Sequence, residues 1–242
     1  MADAEHLIDV PDSVHPWSLL FEIAGVTTPG GWVLVGGLMV HAHALRVGIT
    51  ASRPTEDVDL LINLASATVV AVAGPLQDIG FRPAESLGRS VLHRFQRNDE
   101  SIDVMVERGA SARWARRSIF QAPAARQAID RSDWYDLRGA DRTSRIAVPD
   151  ALGAIVAKSA AYSADQRDRG RHLDDLAVLL AAAGGRRGLG LDRLTRRDKQ
   201  HLRPALNQLA DDGHEAWMLL DAHDRAIGQR AAETIITVIS AT

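Results

Sequence analysis

A change of character near residue 149 constrains the fold of this chain more than any other sequence feature. Before it, short apolar runs rich in β-branched residues, such as WVLV (32–35) and DVDLLINL (57–64), alternate with helix-like segments. After it, ALGAIVAKSAAYSA (151–164) and RHLDDLAVLLAAA (171–183) have the apolar spacing of helices. The sequence therefore predicts an α+β fold, in which a mixed β-sheet with flanking helices is followed by a C-terminal helical domain.

This change also predicts two domains, an α/β domain over residues 1–149 and a helical domain over residues 150–242. Within the first, residues 1–16 contain two prolines and four acids and no periodic apolar face, so we expect a loose N-terminal arm. No apolar run reaches the length of about 18 residues that a membrane span needs. The first residues lack the lysine or arginine of a secretory signal, so the expected location is cytoplasmic.

Composition excludes several classes of site. Apolar residues make up 46% of the chain and charged residues 24%, as in ordinary globular proteins, and there is no cysteine. Disulfide frameworks, zinc–thiolate sites and cysteine nucleophiles are therefore excluded.

The net charge of −3 is unevenly distributed along the chain. Residues 111–145 contain eight arginines and four aspartates, and residues 186–203 contain six arginines, one lysine and two aspartates. Such basic stretches suit a polyanionic partner such as RNA or a nucleotide. They are equally typical of solvated faces in an arginine-rich protein.

Asp57 and Asp59 are the first candidates for chemistry. Side chains at i and i+2 of a strand point to the same face, so the two carboxylates project side by side. Adjacent carboxylates repel one another unless a cation lies between them, and Mg²⁺ is the usual cation. The alternative is a chance acidic pair at a strand end.

Two features in the surrounding sequence add to this pair. Gly36 and Gly37 lie between a predicted strand and a predicted helix, where glycines let the backbone approach a phosphate and the helix N-terminus offers free N–H groups. Asp103 lies within the apolar run SIDVMVE (101–107), which forms a predicted hairpin with VLHRFQR (91–97). A carboxylate there needs a partner unless it faces solvent. The alternatives are a simple tight turn and an outward-facing strand residue.

The run VGGLMVHAHALRVGITASRPTEDVDLLI, followed by SIDVMV, resembles the nucleotidyltransferase superfamily, and within it the AbiEii-type toxin branch. The resemblance covers roughly residues 30–182. It implies a nucleotidyltransferase-like sheet and a helical domain that completes the nucleotide site. The family pattern of a Gly-Gly turn, an Arg-x-Thr/Ser-x-Asp-x-Asp strand entry and a third acid is matched by Gly36, Gly37, Arg53, Thr55, Asp57, Asp59 and Asp103.

The family also carries a lysine on a later helix and an aspartate in an Asp-Leu-x-x-Leu pattern. Lys158 and Asp175 match these positions, and Lys158 is one of only two lysines beside 26 arginines. The alternative for Lys158 is an ordinary half-exposed helix residue. The chain departs from the family in a longer loop before Asp57 and in Arg171–His172 where Lys-Asp is usual. This leaves open whether Asp175 is catalytic or structural, and Asp174 or Asp168 would serve equally well.

Two further pairs carry less weight. His41 and His43 are two apart on a predicted helix and face different directions, which favours structural roles over a metal pair. Trp134 and Tyr135 could stack a base, but a buried core position is favoured.

The resemblance implies two-metal nucleotidyl transfer from a nucleoside triphosphate to an acceptor hydroxyl. Asp57 and Asp59 would bind two Mg²⁺ ions, and Asp103 would complete the second and either lower the pKa of the acceptor hydroxyl or accept its proton. Gly36, Gly37, Arg53, Thr55, Lys158 and Asp175 would form the nucleotide site, and Lys158 would also be catalytic.

The acceptor stays open at this point. RNA, and tRNA in particular, fits the toxin resemblance, and a cognate antitoxin protein is then an expected partner. An antibiotic or a protein hydroxyl are alternatives, and a different class is a non-catalytic nucleotide- or partner-binding protein.

Overall fold

A computed structural model of the chain describes residues 5–50, 53–84, 91–184 and 189–241. The strands are β1 Glu5–Asp9, β2 Trp32–Val35, β3 Asp57–Ile62, β4 Arg82–Pro83, β5 Val91–Leu92, β6 Arg94–Arg97, β7 Glu100–Glu107, β8 Arg113–Trp114, β9 Arg117–Ala122, β10 Ser132–Arg138 and β11 Thr143–Pro149. The α-helices are α1 Trp17–Val26, α2 Gly36–Val47, α3 Val69–Asp78, α4 Ala125–Asp130, α5 Ala151–Ala164, α6 Gly170–Ala183, α7 Arg196–Leu209 and α8 Ala222–Ser240. Two 3₁₀ turns lie at Leu191–Arg193 and Glu215–Leu219.

The strands form one mixed sheet in the order β1-β10-β11-β2-β3-β7-β6-β4, with β9 also paired to β7. The central pair β3/β7 is parallel, whereas β2/β3 and β6/β7 are antiparallel. Beyond β11, the described residues form helices and no further strand. The predicted α+β class, a mixed sheet with flanking helices followed by helices, is confirmed.

Alternation along β3 separates the two faces of the sheet. Val58, Leu60 and Ile62 are fully buried in the main apolar core, while Asp57 and Asp59 point to the opposite face. That second face carries a smaller apolar cluster built from β2, β3, α4 and β11. The carboxylates therefore lie beside this smaller cluster and outside the main core.

Helices from both halves of the chain pack on one core. Residues of α5, α6, α7 and α8 share the main apolar cluster with those of α1, α2 and β3. Burial of this shared surface holds the helical half against the sheet. The division into two domains at residue 149 stays a prediction.

The expectation of a loose N-terminal arm over residues 1–16 is wrong in part, because Glu5–Asp9 forms β1 at the edge of the sheet. β1 pairs in parallel with β10, and Ile8 is buried beneath it. Among His6–Asp9 only Ile8 is buried, so the sequence shows no periodic apolar pattern there. The backbone pairing with β10 supplies the order of this strand. Residues 1–4 lie outside the described part of the chain.

Across the described ranges, none of the helices combines the length and the apolar character that crossing a membrane requires.

Candidate active site

The sheet brings the three predicted aspartates together. In the parallel pair β3/β7, Asp59 lies directly opposite Asp103, and Asp57 is two residues before Asp59 on the same face. Asp57 is 39% exposed and Asp103 is 16% exposed. We call Asp57, Asp59, Asp103 and the nearby Arg94 the carboxylate face. The three acids form one half-open patch, in which Asp57 and Asp59 share a face as their i, i+2 spacing predicts.

Arg94 on β6 is a residue of this patch that the sequence did not single out. Its Nε donates to Oδ1 of Asp103 at 2.7 Å, and its Nη2 donates to Oδ2 of Asp103 and to Oδ2 of Asp57, both at 2.9 Å. The hydrogen bonds to Asp103 raise the pKa of Arg94. One guanidinium thus neutralises part of the charge of two carboxylates.

Asp59 differs from Asp57 and Asp103 in its hydrogen bonding. No side chain in the described part of the protein donates a hydrogen bond to its carboxylate. Burial, followed by the charge of Asp103, raises the pKa of Asp59 to about 7, while Lys158 acts in the opposite direction. Burial also raises the pKa of Asp57, against the attraction of Arg94. A carboxylate with a raised pKa beside two others is a place where an added cation is favoured.

The two glycines at the start of α2 make room for this arrangement. A Cβ on Gly36, whose φ is +73°, would lie 1.8 Å from Oδ2 of Asp59. A Cβ on Gly37 would lie 2.6 Å from Oγ1 of Thr55. Only glycine fits at these two places, because the Asp59 carboxylate and the Thr55 hydroxyl lie against the helix start. The N-terminus of α2 lies against Asp59 and has no side-chain cap, so its first N–H groups are not used by a capping side chain.

Lys158, Asp175 and Arg53 form a second group, which we call the Asp175 cluster. Lys158 Nζ donates to Oδ2 of Asp175 at 2.6 Å, and Arg53 Nε donates to Oδ1 at 3.1 Å. The side chains of Lys158 and Asp175 are 7% and 3% exposed. Lys158 is therefore buried and paired, and is not a half-exposed helix lysine.

The Asp175 cluster joins separate parts of the chain. Arg53 precedes β3, Lys158 lies on α5 and Asp175 lies on α6. Burial raises the pKa of Asp175, but Lys158 and Arg53 outweigh it and leave the pKa lowered. Asp175 is thus an ionised acceptor between two cations. Of the two alternatives for its place, Asp174 is half-buried with a pKa raised by burial, and Asp168 is exposed.

The other predicted candidates lie apart from the aspartates. The ring of His43 is buried, and its Nε2 lies 2.9 Å from the carbonyl oxygen of Pro149. Nε2 of His41 lies 2.8 Å from the carbonyl oxygen of Arg53, so the two histidines do face different directions. Tyr135 is buried in the core, as favoured, whereas Trp134 is half-buried beside Arg145.

Most arginines of the first basic segment make internal contacts. Arg131 pairs with Asp198 at 2.6 Å, and Arg126 pairs with Asp130 at 2.9 Å. Arg108 and Arg197 are exposed and close enough together that both act to lower the pKa of His201 on α7, after burial. Arg108, at the end of β7, and Arg197, on α7, are thus two exposed arginines near one another's helix and strand ends.

The donor set fits one divalent ion better than a preformed group of ions. Within the described ranges, no group of three or more acidic or histidine side chains has the spacing of a metal site. Mg²⁺ commonly takes one or two carboxylates and completes its shell with water and substrate phosphates. Asp57 and Asp59 offer such a pair of hard oxygen ligands, since both carboxylate oxygens of Asp59 and one oxygen of Asp57 accept no hydrogen bond from a cationic side chain among the described residues.

The sequence matches no protein-family model and no curated protein. Among solved structures, the chain is similar to an antigenic nucleotidyltransferase-like protein from Paracoccidioides brasiliensis. The two share 16% identity with a TM-score of 0.43, over 79% of this chain and 84% of that one. At this level the likeness carries no weight for function, which has to be inferred from the geometry. The predicted membership of the AbiEii-type branch stays a prediction.

Proposed function

We propose that this chain is a metal-dependent nucleotidyltransferase, which moves a nucleoside monophosphate from a nucleoside triphosphate to an acceptor hydroxyl. The observation that carries the proposal is the register of β3 and β7, which sets Asp59 opposite Asp103 with Asp57 on the same face. Carboxylates on neighbouring strands beside an uncapped helix start provide the ligands and the anion contacts that triphosphate chemistry needs.

Asp57 and Asp59 would hold Mg²⁺ in this proposal. The bound ion supplies charge neutralisation to the triphosphate. The first N–H groups of α2, at Gly36 and Gly37, are the donors placed to receive phosphate oxygens. Positioning and charge neutralisation supply most of the acceleration in reactions of this kind.

In the proposed reaction, the acceptor oxygen forms a bond to the α-phosphorus while the bond from that phosphorus to the bridging oxygen breaks. Pyrophosphate leaves with the electron pair of that bond. The proton of the acceptor hydroxyl goes to Asp103, whose oxygens keep lone pairs beyond those used by Arg94.

The residues around the phosphates would act mainly by position. Arg53 and Thr55 lie beside Gly37, at the predicted phosphate contact. Lys158 contributes its charge next to Asp59, while its ammonium hydrogen-bonds to Asp175. We therefore assign Asp175 to holding Arg53 and Lys158 in place.

RNA is the acceptor class that we propose. Arg108 and Arg197 are exposed near the end of β7, the strand that carries Asp103. Exposed arginines suit a polyanionic acceptor better than a cationic drug. A toxin–antitoxin setting with a cognate antitoxin protein remains part of this proposal.

A second candidate is a non-catalytic nucleotide- or partner-binding protein. It is favoured by the ion pairs within the carboxylate face and within the Asp175 cluster. Arg94 neutralises Asp103, and Asp175 neutralises Lys158. The uncompensated Asp59 weighs against it, because a fold without a ligand gains nothing from a carboxylate held at a raised pKa.

The direct test is incubation of the purified protein with Mg²⁺, each α-labelled nucleoside triphosphate in turn, and bacterial RNA. We expect labelled RNA of tRNA size, and Asp59→Asn should reduce labelling by about 10²-fold or more. The matched control is Asp136→Asn on β10, three strands from β3, which should keep full activity. Equal labelling by Asp59→Asn and the control would contradict the assignment. Label on the protein alone would replace RNA by a protein acceptor.

A further inference from the structure

Arg94 holds three of the four carboxylate oxygens of Asp57 and Asp103. It donates to both oxygens of Asp103 at 2.7 and 2.9 Å, and to one oxygen of Asp57 at 2.9 Å. A fork–fork contact of this kind is the strongest geometry open to an arginine and a carboxylate. The guanidinium thus lies between the two aspartates, where a cation that bridges them would have to be.

The strand register fixes Arg94 at this place. β6 and β7 are antiparallel neighbours, and Arg94 lies directly opposite Asp103. At the other end of β6, Arg97 is held by Glu22 and Glu100, at 2.6 and 2.7 Å. Side chains of directly opposite strand residues have Cβ atoms about 5 Å apart. The position of Arg94 is therefore set by the sheet and does not depend on a loop.

We propose that Arg94 takes the place of a second metal ion between Asp57 and Asp103, so that the centre binds one divalent ion. This inference rests on the proposed nucleotidyl transfer. Asp59 and the oxygen of Asp57 that Arg94 leaves free would hold the ion, and triphosphate oxygens would complete its shell. Asp103 then accepts hydrogen bonds from Arg94 and the proton of the acceptor hydroxyl, and is not a metal ligand.

The charges of the patch agree with one ion. Before the triphosphate binds, three carboxylates and one guanidinium leave two formal negative charges, which one divalent ion balances. A second ion would have to lie within a few ångströms of the Arg94 guanidinium, and like charges at that distance repel strongly in a half-buried patch.

Counting bound Mn²⁺ by electron paramagnetic resonance, in the presence of a non-hydrolysable nucleoside triphosphate, tests the inference. The wild-type protein should bind one ion per chain, and Arg94→Met should bind two, because it frees both oxygens of Asp103. Arg94→Lys, which keeps the positive charge, should bind one.

Asp103→Asn gives a second test that does not depend on the folding of Arg94→Met. If Asp103 is not a ligand, this variant still binds one ion, with a dissociation constant within about threefold of the wild-type value. Two ions in the wild-type protein, or one in Arg94→Met, would overturn the inference and leave nucleotidyl transfer standing. Nucleotide binding by the wild-type protein without any ion would instead overturn the proposed function, and this inference with it.

Discussion

The carboxylate face and the Asp175 cluster are both small groups of opposite charges, but they are balanced in opposite ways. The carboxylate face has three acids and one guanidinium, whereas the Asp175 cluster has one acid and two cations. Asp57 and Arg94 are 39% and 34% exposed, whereas Asp175 and Lys158 are 3% and 7% exposed. The exposed group has negative charge to spare and is open to solvent, while the buried group uses its charges to join α5, α6 and the segment before β3.

This difference suits the Asp175 cluster to a structural role and the carboxylate face to binding a cation. A buried ion pair is costly to break, because the charge left behind has no partner. A half-exposed group of like charges is costly to keep, and becomes favourable when a cation arrives. The two groups should therefore respond to mutation and to metal in opposite ways.

The largest stability effect should come from the Asp175 cluster. Asp175→Asn leaves the buried Lys158 without an ionised partner and should lower the free energy of unfolding by about 3–5 kcal/mol. Urea unfolding measures this change. Asp174→Asn, next to it on α6 and only half-buried, is the control and should cost much less. Equal losses in the two variants would remove the distinction between the groups.

Replacing the buried pair as a whole should cost less than breaking it. Of the Asp175 cluster, the double variant Lys158→Met/Asp175→Leu leaves only the charge of Arg53, which is 27% exposed and can turn to solvent. We expect it to recover at least half of the stability lost in Asp175→Asn. A double variant that is less stable than Asp175→Asn would show that the pair contributes more than mutual neutralisation.

In metal-free buffer, removing a charge from the carboxylate face should stabilise the protein, whereas removing the charge of Asp175 destabilises it. The pKa of Asp59 is about 7 in the folded chain against 3.8 as the ordinary value, so the folded state holds this proton more tightly than the unfolded state does. Stability should therefore fall as the pH rises from about 4 to about 7. Asp59→Asn should be the more stable protein above pH 7, by on the order of 1 kcal/mol. Thermal unfolding in chelator checks this, and a destabilised Asp59→Asn at pH 8 would contradict it.

Substitution of His172, which lies beside the Asp175 cluster, should have the smallest effect on stability. Burial, followed by the charges of Lys158 and Arg171, lowers the pKa of His172 from 6.5 to about 4. Its contribution to stability is therefore complete above about pH 6.5 and is lost as the pH falls towards 4. His172→Gln should lose less stability than wild type between pH 7 and pH 4. Parallel pH curves for the two proteins would show that His172 is not the titrating group.

The sequence predicted the parts of the site that depend on local patterns. The i, i+2 spacing of Asp57 and Asp59 predicts a shared face, and the structure places them on one. Gly36 marks a close approach, but the group that approaches is the Asp59 carboxylate of the chain itself. A local pattern indicates that space is needed and cannot say which distant group fills it.

Arg94 was missed because its role depends on register. With Asn98–Asp99–Glu100 taken as a three-residue connection, Arg94 does not lie opposite Asp103. The structure has a two-residue turn in which Arg97 pairs with Glu100, and Asn98 adopts a φ of +51°. Asparagine tolerates this left-handed conformation and is common in two-residue hairpin turns, so the signal was present in the sequence. The Arg53–Asp175 contact spans 122 residues and could not be read from any local pattern.

The most direct test of the central claim is the affinity of the protein for a non-hydrolysable nucleoside triphosphate with and without Mg²⁺, measured by calorimetry. The account predicts saturable binding that requires Mg²⁺, is lost in Asp59→Asn and is unchanged in Asp136→Asn. Binding of equal strength without Mg²⁺, or in Asp59→Asn, would contradict the claim that the carboxylate face is a metal–nucleotide centre.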